Sequence, residues 1–163
     1  MNISIILADY HNRRHANDIG TLLNAYATDQ MGGGIELDEY VKNNIASELA
    51  RLPHAFSILG YIDNKPAGLV NCFEGFSTFK CKPLINIHDI VVSRAHRRSG
   101  ISQLLLAKVE EIAKARACCK ITLEVLEGNT PAQAAYRKFG FSGYELDPLM
   151  GKAMFWQKII CNE

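Results

Sequence analysis

A chain of 163 residues, 48% hydrophobic and 21% charged, has the material for a real core, so residues 1–163 are expected to form a single domain. Its formal net charge of +1 excludes the basic excess of a bulk nucleic-acid binder or of a protein held on anionic lipid. No apolar run approaches a membrane span, and the opening MNISIILADYHNRR lacks the basic-then-apolar order of a secretory signal, so a cytoplasmic protein without nucleic-acid or membrane partners is expected.

In chain order, ISIILA (3–8) reads as a strand. HANDIGTLLNAYA spaces Ile19, Leu22, Leu23 and Tyr26 on one helical face, and ELDEYVKNNIASELARL does the same with Leu37, Tyr40, Val41, Ile45 and Leu49. QMGGGI between them reads as a flexible connector. AFSILGYI and AGLVNCFEGF read as strands joined by Asp63-Asn64-Lys65-Pro66 into a hairpin, and LINIHDIVV as a further strand. A helix with Ile101, Leu104, Leu105, Val109, Ile112 and Ala113 on one side follows RRSGIS. A short strand ITLEVL, a helix TPAQAAYRKFG and a last strand AMFWQKII complete the order β-α-α-β-β-β-α-β-α-β. That order predicts an α/β fold with a mixed central sheet and helices on both faces.

The cysteines are Cys72, Cys81, Cys118, Cys119 and Cys161. They show no metal-ligand spacing, and an odd number cannot all pair, so free thiols and no metal are expected.

RRSGIS carries the first chemical signal. The leading N–H groups of a helix lack intrahelical partners and sit at the positive end of its dipole. A start with little side-chain bulk leaves them open to an anion such as phosphate. The stretch is neither a P-loop, since no Lys-Ser/Thr pair follows, nor the dinucleotide fingerprint, whose glycines are missing.

Taken together, HDIVVSRAHRRSGISQLL, LEVLEGN and AYRKFGF resemble the GCN5-related N-acetyltransferase (GNAT) family over residues 55–145. The resemblance implies the GNAT fold and acetyl-CoA as co-substrate. It implies that Arg97, Arg98, Ser99, Gly100, Ile101 and Ser102 hold the pyrophosphate. Ser102 stands where Gly or Ala is usual, and Arg98 where many relatives have Gly. Ile90-Val91-Val92 matches the strand whose backbone pairs with pantetheine, with a backbone N–H near Val91 or Val92 steadying the oxyanion. Asn129 resembles a cofactor contact; its structural alternative is a helix cap. Tyr136 resembles the acid that protonates the departing sulfur.

For the base, Glu124 matches a glutamate used by some amine acetyltransferases, and a carboxylate midway along an apolar strand needs a partner or a function. His88 and Asp89 compete as adjacent residues on opposite strand faces, Asp89 having a structural hydrogen bond as its alternative. Phe73, Glu74, Phe76 and Phe79 suit an aromatic pocket for a small amine, or plain core. The expected reaction is acetyl transfer to a primary amine in a ternary complex, with a small molecule as acceptor. A protein N-terminus or lysine as acceptor, a non-catalytic acyl-CoA sensor and a homodimer remain open alternatives.

Overall fold

The computed structural model describes residues 1–160. Five strands and four helices run β1 (Ile3–Leu7), α1 (Arg13–Ala27), α2 (Glu39–Ala50), β2 (Ala55–Ile62), β3 (Lys65–Ser77), β4 (Lys82–Val92), α3 (Ile101–Ala115), β5 (Ile121–Leu123) and α4 (Thr130–Phe139). Single turns of 3-10 helix at Gln30–Gly32 and Arg94–His96 precede α2 and α3. The strands lie side by side in chain order, antiparallel from β1 to β4, with β5 joining β4 in parallel. The mixed sheet with helices on both faces is the expected class.

Local chemistry accounts for the boundaries. Asn12 starts α1 by accepting from the Arg14 and His15 N–H groups, and Asn129 starts α4 by accepting from that of Ala132. The β2–β3 hairpin closes on Asp63 and Asn64, both left-handed, with φ of 48° and 62°. Ile62 pairs with Lys65 across them, so the turn is a two-residue loop whose twist matches the strands.

Two apolar clusters sandwich the sheet. On one face Leu59, Leu69 and Val91 meet Ile19, Leu22 and Ala46 of α1 and α2. On the other, Ile58, Val70, Ile85 and Ile87 meet Leu105, Leu106 and Val109 of α3, with Tyr136, Phe139 and Phe141 at its margin.

The chain departs from expectation at its end. Residues 153–160 form no strand, and Phe155 and Trp156 are exposed; the last pairing is an isolated bridge between Glu145 and Lys152. Apolar, strand-prone residues make a strand only when a ladder partner accepts them. Cys161 lies outside the described residues. Cys72, Cys81, Cys118 and Cys119 are free, as expected.

Candidate active site

The site begins with one extra residue in β4. Asn71 of β3 pairs with Asp89 and the next residue, Cys72, pairs with Ile87, which leaves His88 as a bulge. On its other side β4 pairs with β5 only through Ile85↔Ile121, Asn86↔Thr122 and Ile87↔Leu123. From His88 to Val92, β4 is therefore bonded to β3 alone among the described residues. Alternate backbone groups in this stretch face a gap where β5 has parted from β4. The Val91 side chain is buried toward α1 and α2, while Ile90 and Val92 pack on the α3 face. Side chains here make core, and the backbone is left open for a ligand.

The bulge also corrects the expectation that His88 and Asp89 face opposite ways. Strict alternation would have placed them so, but the extra residue resets the phase and both line one cavity of about 380 Å³. Leu23, Ile45 and Leu49 give it an apolar wall from α1 and α2, and Phe73 a second from the sheet. His88 meets the Phe73 ring edge-on, with centroids 5.6 Å apart. Tyr26 and Asn71 supply further polar groups, and Asp89 is the single carboxylate in the lining.

Asp89 is tied into the sheet. Asn71 donates from Nδ2 to Asp89 Oδ2 at 3.0 Å and accepts at Oδ1 from Ser57 Oγ at 2.6 Å. Burial, with the Asp89 and Asp29 carboxylates nearby, pushes the Tyr26 phenol above its ordinary pKa.

At the expected phosphate seat, Gly100 caps α3 with φ of 85°, a left-handed conformation that a β-carbon disfavours. No atom lies within 4 Å of where that β-carbon would sit, so the space in front of the helix is open. Gly100 has no side chain to cap this end, and the Ile101 side chain is buried in the core, so it does not shield the helix start. Arg98 is exposed, Ser99 and Ser102 are half-buried, and Ser99 Oγ accepts from the Ile101 N–H at 3.4 Å. Arg97 has a different partner from the one expected: its Nη2 lies 2.8 Å from Asp29 Oδ2, which Arg94 also reaches at 3.3 Å. Asp29 lies two residues beyond α1, so this carboxylate ties the loop ahead of α3 to the segment whose Ala27 and Gly32 line the cavity. The Arg97 hydrogen bond, helped by that from the Met31 N–H, holds Asp29 down to about 2.

Tyr136 packs its ring against Phe141, with centroids 6.0 Å apart. Burial, with the Tyr26 phenol close by, pushes it up to about 12. Asn129 spends its side chain on the Ala132 N–H at 3.3 Å, the capping alternative.

Three expected site residues do not line this cavity. Glu124 follows the end of β5, exposed to solvent and 3.5 Å from Asn86 Nδ2, so it is not the stranded carboxylate its apolar neighbours suggested. Glu74 shares the α3 face with Cys72 and pairs with Arg116 at 2.9 Å, away from the cavity. Phe76 is exposed near the end of β3 and does not line it.

The family model described as Acetyltransferase (GNAT) family matches residues 19–141. The chain belongs to this family. Among curated proteins, it is 38% identical over 63 residues to the streptothricin acetyltransferase of Streptomyces lavendulae, a match covering 39% of this chain and 33% of that protein. It is 27% identical over 95 residues to an aminoglycoside N(6')-acetyltransferase type 1 of Acinetobacter haemolyticus, covering 56% of this chain and 66% of that one. The matches thus span a third to about two thirds of these relatives. An aminoglycoside N-acetyltransferase solved in complex with CoA superposes with a TM-score of 0.72 at 17% identity, over 96% of this chain and 95% of that chain. That likeness shows the GNAT fold.

Within this GNAT chain, Tyr26, Asn71 and Ser57 escaped the sequence reading. Tyr26 looked like one more apolar position of α1, and Ser57 and Asn71 are single polar residues inside strands. The available signal was that the two break otherwise apolar runs, at a cost that buried polar groups incur unless they bond to each other.

Proposed function

We propose that this chain is an N-acetyltransferase that moves the acetyl group of acetyl-CoA to a primary amine of a small molecule, within a ternary complex. The observation that carries the reading is the cavity at the β4 bulge, mostly apolar, with Asp89 as its one fixed charge. A cavity of this size suits one amino-sugar ring or an aminoalkyl arm, and a lone carboxylate in apolar walls selects a cation. The named activities of the curated relatives, on an aminoglycoside and on streptothricin, favour the same acceptor class.

The residues fit acetyl-CoA. Gly100 and the first turn of α3 would receive its phosphates, with Arg98 beside them, and the unpaired edge of β4 from His88 to Val92 would bond the pantetheine amides. Asp89 orients the substrate ammonium, which gives up one proton to water so that the free amine can attack, and Asp89 takes a second proton once the C–N bond has formed and the nitrogen has become acidic. His88, beside it on the exposed side, passes that proton to water. The N–H groups of β4 facing the gap stabilise the carbonyl oxygen as it gains charge. Tyr136, its pKa pushed up to about 12, donates a hydrogen bond to the departing sulfur. Full transfer to an ordinary thiolate would be uphill by roughly three pK units, so the sulfur acquires its proton from solvent after leaving.

A thiol-release screen across aminoglycosides, streptothricin-type amines, polyamines and short peptides tests the reading. Small amines are expected to support turnover, and Asp89→Asn to lower kcat/KM by about 100-fold or more at unchanged acetyl-CoA affinity. Turnover with peptides alone moves the assignment to a protein acetyltransferase. Tight acetyl-CoA binding without transfer to any amine makes the chain a sensor.

A further inference from the structure

Ser57, Asn71 and Asp89 form a row across three strands. Ser57 is the register partner of Asn71, and Asn71 of Asp89, all on the face covered by α1 and α2. Ser57 is 0% exposed and Asn71 3% exposed, so neither is solvated. A fourth member extends the row, since Tyr10, in the turn after β1, lies with its hydroxyl 2.9 Å from Ser57 Oγ.

The protons in this row can be assigned by elimination. Ser57 has one hydroxyl proton, and the amide oxygen of Asn71, 2.6 Å away, can only accept. Ser57 therefore donates to Asn71, and its own oxygen must accept from Tyr10. Burial raises the Tyr10 phenol above its ordinary pKa, so that proton is retained. Asn71 then has its Nδ2 donors left for Asp89 Oδ2. Turning the amide over would set its oxygen against the carboxylate and its NH₂ against Ser57, placing two acceptors face to face beside the cavity. Every donor in the row points toward Asp89, and aligned bonds of this kind polarise one another in a medium of low dielectric.

We propose that Ser57, backed by Tyr10, is a positioning residue: it locks the Asn71 amide toward Asp89 Oδ2, leaving Asp89 Oδ1 free to hold the amine. The inference rests on the role given to Asp89 above, and neither Ser57 nor Tyr10 lines the cavity. Without Ser57 the amide of Asn71 loses the bond that fixes its sense, and the carboxylate rotates within its well. Amine binding then loses little, while the geometry of attack suffers, because turnover depends more steeply on alignment than binding does.

The experiment has a kinetic arm and a spectroscopic arm. With acetyl-CoA and kanamycin as the probe amine, Ser57→Ala is expected to lower kcat roughly tenfold, the worth of about one hydrogen bond, with KM for kanamycin nearly unchanged. In the Asp89→Asn background the same change should have no further effect, since both act through one group. Independently of turnover, the Asn71 side-chain NH₂ signals, followed by ¹⁵N NMR, should exchange slowly in the wild type. They should exchange at least about tenfold faster in Ser57→Ala. Tyr10→Phe, which removes only a half-buried hydroxyl, should shift the same signals to a smaller degree and covers the case in which Ser57→Ala fails to fold. Unchanged Asn71 signals in both variants, or a Ser57→Ala effect that persists in full without Asp89, overturns the inference. If kanamycin is not acetylated but the Asn71 signals respond as expected, the positioning stands and the assigned acceptor fails.

Discussion

Tyr136 shows how environment sets the protonation of a single side chain. Burial, with Tyr26 nearby, pushes the phenol up to about 12, so it keeps its proton through any assay range. A group with a raised pKa loses its protonated form only as pH rises through that value, so Tyr136 adds no alkaline limb to the rate below about pH 11. Tyr136→Phe should lower kcat by about 10- to 100-fold, the worth of one hydrogen bond to a charged sulfur, with little change in the acetyl-CoA dissociation constant measured by calorimetry, because one hydroxyl and almost no packing is lost. The shape of the pH profile should survive the substitution. A limb between pH 8 and 10 that vanishes in the variant would mean that the phenol titrates far lower than its burial implies.

At the scale of elements, two loops meet at Asp29. Its carboxyl lies well below its ordinary 3.8, at about 2, first through the Arg97 hydrogen bond and then through that from Met31. A lowered carboxylate adds stability that is complete above the ordinary value and is lost as pH falls through the folded one. The melting temperature of the wild type should therefore exceed that of Asp29→Asn down to about pH 4, with the difference closing toward pH 2. The effect should be small, since Arg94 and Arg97 are largely exposed and surface pairs contribute about 0–1 kcal/mol. Gly100 is the other element-level control. Gly100→Val meets no neighbour but forces a β-branched residue to φ of 85°, at a cost of roughly 1–2 kcal/mol. Calorimetry should show acetyl-CoA affinity falling further than that strain accounts for, while unchanged affinity would remove the phosphates from this helix start.

Across the molecule the thiols report on integrity. Cys81 is exposed, whereas Cys72 is buried between sheet and α3, and burial raises its pKa far beyond the ordinary thiol range. Since the thiolate is the reactive form, Cys81 should react at once with an aromatic disulfide reagent and Cys72 only on unfolding. Its labelling rate then measures opening of the core, and rapid labelling of Cys72 in the native protein would contradict this packing.

Local patterns in the chain carried most of the fold. The 3.6-residue spacing along α1, the Asp-Asn turn and the Asn129 and Gly100 helix starts depend on neighbours a few residues away, so α1 to α4 and β1 to β5 were legible within a few residues. RRSGIS was legible as an open helix start because a helix terminus keeps its chemistry wherever the chain carries it. Tertiary pairing alone decided the rest. A strand's face depends on its register with a partner, so the bulge that turns His88 and Asp89 into one cavity has no signature within LINIHDIVV. For the same reason Glu74 pointed away from the cavity, Glu124 proved exposed, and AMFWQKII, strand-like by composition, formed no strand. The polar row behind Asp89 joins residues 57, 71 and 89, each unremarkable within its own strand. Only the ladder that sets them side by side makes them one hydrogen-bonded unit.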